Sequence, residues 1–251
     1  MGDVHEALKN LVERMHEAAR DNLESIILYG SAARGDFHDA HSDLNVLCIL
    51  RSPRAAELAR VSAVVKWWTT VQHQPAPLFF SAEELRQSAD VFAIELLDMQ
   101  QSHRVLYGSD TIAGITVPMN LHRVQVEHEL RTLLLKVRQH FLREAGNHQE
   151  LAAVLAKSFS SALTLLRHTL IAFQEQPPNA VGDVFGRIAA STGASAPAFE
   201  AVQRLREAKS LDRDAVLPVY DGYLAALEKV IAALDQHLPK RQWQRAGKAS
   251  A

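Results

Sequence analysis

Apolar residues recur at Val4, Ala7, Leu8, Leu11, Met15 and Ala18. This three-to-four-residue rhythm predicts one amphipathic helix over residues 3–20, with Asp3 as its N-cap. The pattern then changes. Ser25-Ile26-Ile27-Leu28-Tyr29 is a short apolar run stopped by Gly30, and Leu44 to Leu50 is a second. Runs of this length, bounded by turn residues, predict strands buried on both faces. After Pro53 a helix is expected to about Thr70 through Leu58, Val61, Val65 and Trp68. Pro77-Leu78-Phe79-Phe80 reads as a third strand, and two further helical pieces followed by Val105-Leu106-Tyr107-Gly108 complete an α/β unit.

Past Pro118 the period is helical throughout. Leu130, Leu133, Leu134, Val137 and Phe141 form one stripe, and Leu151, Leu155, Phe159, Leu163, Leu166 and Leu170 form a second, with Gly146-Asn147 between them. Gln176-Pro177-Pro178-Asn179 breaks the run, the segment from Thr192 to Pro197 reads as a loop, and a last helix is expected from Asp214 to Leu238. The expected organisation is an α/β domain over 1–117, a bundle of four or five helices over 118–238, and a tail over 239–251 that lacks an apolar pattern and is expected to be disordered.

A chain of 251 residues is long enough for two such cores. The net charge of −2 and the absence of a long basic run give no strong nucleic-acid signal. A small molecule or a protein is the expected partner. Cys48, the one cysteine, sits in an apolar run and suits a reducing compartment. Charges run through the first twenty residues and no stretch approaches eighteen apolar residues, so neither a leader peptide nor a membrane span is expected. The expected location is cytoplasmic.

Candidate chemistry concentrates where the first two strands meet. Leu28-Tyr29-Gly30-Ser31-Ala32-Ala33-Arg34 ends a strand in Gly-Ser, and Asp43-Leu44-Asn45 opens the next. A strand that turns through Gly-Ser into a helix offers backbone N–H groups, a hydroxyl and a positive helix end to an anion. Arg34, three residues after Ser31, falls on the same helix face and within reach of a polyphosphate; pairing with Asp36 or Asp39 is its structural alternative. Residues 43 and 45 alternate along a strand and so share a face.

This Gly-Ser to Asp frame resembles that of the polymerase-β-like nucleotidyltransferase superfamily, and the α/β-then-helical layout is similar to kanamycin-nucleotidyltransferase-like and related bacterial proteins. The resemblance implies a short mixed sheet with flanking helices followed by an all-α bundle. It also implies a nucleoside triphosphate bound with Mg2+ or Mn2+, with Gly30, Ser31 and Arg34 on the nucleotide and Asp43 and Asn45 at the metal and catalytic positions. The superfamily frame carries a second carboxylate where this chain has Asn45. An amide lends a carbonyl oxygen but no charge, and a lost carboxylate forfeits roughly 4 kcal/mol of gross attraction to a cation about 4 Å away at an effective dielectric of about 20. The later strand that would supply a third carboxylate, Leu78-Phe79-Phe80, has none. Glu95 and Asp98, three apart on a helix, are the candidate replacement acid or base; Glu83 and Glu84 suit a helix start.

Other patterns carry less. His38 and His41 flank Asp39 in a loop and read as exposed histidines rather than metal ligands. Arg123/His128 and Arg143/His148 fit a ribonuclease-like spacing that chance alone supplies among so many arginines and histidines, so no ribonuclease activity is assigned. Trp67 and Trp68 are expected to face different sides, one in the core and one at an interface. Two functions follow. One is nucleotidyl transfer to a hydroxyl of a small molecule or protein; the other is a pseudoenzyme that senses a nucleotide or binds a protein partner. A homodimer is compatible with either, and the sequence leaves open whether the chain is an enzyme.

Overall fold

The computed structural model describes residues 2–34, 43–208 and 215–237. The chain divides into two compact units, residues 1–121 and residues 122–251.

In the first unit, α1 (Gly2–Ala19) leads through a short turn into β1 (Leu23–Tyr29), followed by the single helical turn α2 (Ser31–Arg34) and β2 (Asn45–Leu50). Helix α3 (Ala55–Thr70), β3 (Leu78–Phe80), α4 (Ala82–Gln87), α5 (Ala93–Gln101) and β4 (His103–Gly108) complete it. The sheet order is β3-β2-β1-β4. β1 runs antiparallel to both neighbours and β3 lies parallel to β2, so the sheet is mixed.

Alternation along the strands assigns each side chain to a face. Ile26, Leu28, Leu44, Val46, Cys48 and Leu50 pack with Leu8, Leu11 and Met15 of α1 and Val61, Val64 and Trp68 of α3. Ile27, Leu47 and Ile49 pack on the other face with Leu85 of α4, Leu96 and Met99 of α5, and Ile112 and Ile115 from the segment after β4. Burial on both faces explains why these strands read as continuous apolar runs. Cys48 is fully buried and its thiol is pushed up to about 12 by that burial.

Several boundaries differ from the sequence reading. α1 begins at Gly2, one residue ahead of the expected Asp3 cap. β4 begins at His103 rather than Val105, because pairing of Tyr29 with His103 and Leu28 with Arg104 extends the ladder. It ends at Gly108, whose φ is +75° and where an added Cβ would lie 1.9 Å from the Glu24 carbonyl oxygen. Only glycine permits that approach. Trp68 is fully buried as expected, whereas Trp67 packs partly buried within this unit, its ring under the Arg14 guanidinium at 4.4 Å. Glu84 completes a capping box with Ser81 at the start of α4.

The second unit's helices are α6 (Met119–Arg143), α7 (His148–Ala172), α8 (Val181–Thr192), α9 (Ala196–Ala208) and α10 (Val216–Gln236). Asn147 caps α7 by accepting the Glu150 N–H, and α8 ends at Gly193 in the left-handed region. The segment from Thr192 to Pro197, read as a loop, is shorter: α9 already starts at Ala196, and Pro197 lies in its first turn, where a missing N–H costs no hydrogen bond. The rings of Phe159, Phe185, Phe199 and Tyr223 meet in sequence through this core, edge to face, stacked and again edge to face, at centroid separations of 6.2, 5.6 and 6.1 Å. Arg123, buried, donates to the Leu234 carbonyl and pairs with Glu127, which gives it a structural use. The tail and Asp214 lie outside the described residues, as do His38 and His41. Among the described residues no helix is long and apolar enough to cross a membrane.

Candidate functional site

The end of β1 makes the site. Tyr29 pairs in register with Asn45 on one side and with His103 on the other. Gly30 follows with φ +83°, a left-handed turn that an L side chain resists. An added Cβ there would stand 3.4 Å from the Asn45 amide nitrogen, so the two residues are in contact across the strand pair.

Asp43 and Asn45 lie on the same side of their strand. Leu44 and Val46, which alternate with them, are buried in the α1/α3 core, while Asp43 is exposed and Asn45 half-buried. The lead-in is held by the Leu44 N–H donating to the Gln74 side-chain oxygen at 2.8 Å. Gln74 is a fixing residue that no pattern in the sequence marks, because it acts from the far end of α3's connecting loop.

The structure narrows the expected anion cradle. The Gly30 N–H is already used, donating to the Ser102 carbonyl at 3.0 Å, and the Gly30 carbonyl accepts the Ala33 N–H. α2 is described over one turn, Ser31–Arg34. The free donors of such a turn are its first N–H groups, those of Ser31 and Ala32. The side chains of Ser31 and Arg34 lie outside the described residues.

The Gly30–Ser102 bond also fixes α5 against the turn. Glu95 and Asp98 are three apart and share one face of α5, which ends at Gln101. Glu95 is close enough for its charge to matter: burial first, and then the Glu95 carboxylate, push the Tyr29 hydroxyl above its ordinary value, so it remains an O–H donor. Past the end of α5, His103 lies 2.9 Å from the Met99 carbonyl through Nδ1 and 2.8 Å from Asp110 through Nε2. Burial raises Asp110, but the His103 hydrogen bond, the Ile112 and Ala113 N–H groups and the His103 charge together bring its carboxyl below its ordinary value. Ser102 and the His103–Asp110 pair were not singled out from the sequence. Their place beside the end of β1 depends on β4 pairing with β1, a contact between residues some seventy positions apart.

Among the described residues no three His, Cys, Asp or Glu side chains converge as a metal-holding group. The donors at hand are the Asp43 carboxylate and the Asn45 amide, both hard oxygens of the kind Mg2+ and Mn2+ accept.

No protein-family model matches the chain, and no curated protein matches it in sequence. Among solved structures, it is similar to spectinomycin adenyltransferase AAD(9) from Enterococcus faecialis, solved with ATP and spectinomycin, with a TM-score of 0.55 and 11% identity over 92% of this chain and 99% of that one. The likeness is one of fold. The small mixed sheet with flanking helices, followed by helices alone, is thus a nucleotidyltransferase-like fold, and at 11% identity the comparison carries no residue roles.

Proposed function

We propose that this protein binds a nucleoside triphosphate at the β1–α2 turn and transfers its nucleotidyl group to a hydroxyl of a small molecule or protein, releasing pyrophosphate. The observation that carries this reading is the left-handed Gly30 in contact with Asn45, with Asp43 exposed on the same side of β2. Gly30 allows phosphate oxygens close to the backbone, and the N–H groups of Ser31 and Ala32, with Ser31 and Arg34, supply donors to them. Asp43, with the Asn45 carbonyl oxygen, would hold Mg2+ or Mn2+, which would offset the phosphate charge and lower the barrier to attack by a hydroxyl. Glu95, whose charge reaches Tyr29 beside the turn, and Asp98, three residues on, are the candidates for the acid or base that takes the acceptor's proton. The ATP bound in the fold neighbour makes ATP the first nucleotide to test.

A second reading is favoured by the same site's charge: a nucleotide-sensing or partner-binding module without transfer, because Asn45 brings no charge and no third carboxylate joins Asp43 among the described residues. One experiment separates them. Thermal unfolding is followed with each of the four triphosphates, with and without Mg2+ or Mn2+, and labelled ATP is then offered to a panel of hydroxyl acceptors. Ligand at about 100 times its dissociation constant adds about 2.7 kcal/mol, or about 5 °C. A metal-dependent shift with label transferred, both lost in Asp43→Ala, is the expected result. A shift without transfer supports the nucleotide-sensing module; no shift with any triphosphate overturns the transferase reading and favours a partner-binding module.

A further inference from the structure

The helical unit exposes an apolar groove of about 480 Å3 between the end of α6 and the start of α10, lined by Arg138, Phe141 and Leu142 on one side and Leu217, Tyr220, Asp221 and Leu224 on the other. Its rim carries unusually open aliphatic side chains: Leu142 is 77% exposed, Leu217 46%, and Leu135, two turns before Leu142 on α6, 55%. Large apolar side chains gathered on one surface mark an interaction site.

The occupant follows from the order of residues along the two helices. They run antiparallel: Tyr220 donates to the Val137 carbonyl and stacks on Phe141, while Arg138 pairs with Glu228 and Arg123 reaches the Leu234 carbonyl. Moving back along α6 from Leu142, Arg138 and Leu135 come at intervals of four and three. Moving forward along α10 from Leu217, Asp221 and Leu224 come at the same intervals. A two-fold axis parallel to the groove exchanges its walls. It sets Leu142 of one copy against Leu217 of the other, Arg138 against Asp221, and Leu135 against Leu224, each contact made twice. The charges agree with this. Among the described residues Asp221 has no ion-pair partner, and Arg138, whose pairing with Glu228 uses one guanidinium nitrogen, keeps further donors for a second carboxylate.

We infer that this groove is the dimer interface of the protein, occupied by the same groove of a second copy. Arg138 and Asp221 fix the register, and the leucines supply the buried area. The interface lies within the helical unit and is independent of the nucleotide reading.

Sedimentation equilibrium of the full chain, from about 1 to about 200 μM, tests it. The mass is expected to rise from that of the 27.8 kDa monomer toward twice that value. Leu142→Glu and Asp221→Arg should each raise the dissociation constant at least about tenfold, an effect of about 1.4 kcal/mol. Arg138→Glu should weaken the dimer likewise, and combining it with Asp221→Arg should recover affinity because both symmetric contacts are then reversed together. Leu142 and Asp221 are exposed, so unchanged circular dichroism and melting temperature check that the variants fold. A chain that stays monomeric throughout, or a dimer indifferent to all of these substitutions, overturns the inference; the first result would assign the groove to a foreign partner or another segment of this chain.

Discussion

The two faces of the sheet are closed by different means. One is covered by α1 and α3, helices of 18 and 16 residues whose apolar stripes meet Ile26, Leu28, Val46, Cys48 and Leu50. The other is covered by α4 and α5, of 6 and 9 residues, and by the segment carrying Ile112 and Ile115. Tyr29 packs on the second face, and Asp43 and Asn45 lie at its open end. Long helices bury continuous apolar surface and contribute stability. Short ones leave strand ends uncovered, where polar side chains and backbone groups remain within reach of a ligand.

The largest effect should come from the long-helix face. Trp68→Ala removes a fully buried ring and is expected to cost about 3–5 kcal/mol in urea unfolding, leaving triphosphate affinity per folded molecule unchanged. Trp68→Phe should cost clearly less, since the indole N–H has no acceptor to lose. Loss of affinity greater than loss of folded protein would break the comparison.

On the open face the balance reverses. Gly30→Ala imposes a left-handed φ on an L residue beside Asn45, at about 1–2 kcal/mol of stability. Its effect on triphosphate affinity should exceed that cost, because the new methyl stands where phosphate would approach. Calorimetric titration beside a melting curve separates the two quantities.

Asn45→Asp tests whether the site lacks only charge. A second carboxylate should strengthen Mg2+-dependent triphosphate binding about tenfold, or about 1.4 kcal/mol, and weaken folding slightly without metal. Unchanged or weaker binding would show that Asn45 belongs to a different arrangement from a metal pair.

The last comparison is a pH slope, worth about 1.4 kcal/mol in all between pH 8 and pH 10. Burial holds the Cys48 thiol protonated in the folded chain up to about 12, whereas the unfolded thiol ionises near 9.0. The unfolded state therefore binds fewer protons between those values, and stability falls as pH rises through that window, by up to about 1.4 kcal/mol per pH unit. Tyr223, pushed by burial from 10.0 to about 12, adds to the slope above pH 10.0. Cys48→Ala should flatten the first part of the decline, read as urea midpoints from pH 8 to pH 10.

Much of this was legible along the chain because it depends on neighbours in sequence. Period and length separated the helices from the strands, Gly30 marked the end of β1, and alternation placed Asp43 and Asn45 on one side of β2, where buried Leu44 and Val46 now set the opposite side. The nucleotidyltransferase-like fold was expected from the resemblance of the Gly-Ser to Asp frame, and the AAD(9) neighbour shares that fold.

What the sequence did not determine are the contacts made at a distance. The Gly30 N–H went to the Ser102 carbonyl at the end of α5, which removed one donor from the expected cradle. Gln74 took the Leu44 N–H, and His103 reached Met99 and Asp110 only once β4 had paired with β1. Backbone and side-chain polar groups must find partners wherever the fold buries them, and which partner is nearest is settled by how the strands and helices pack rather than by any local run of residues. Local periodicity decided the elements; tertiary packing decided which groups at the candidate site are already bonded and which remain for a ligand.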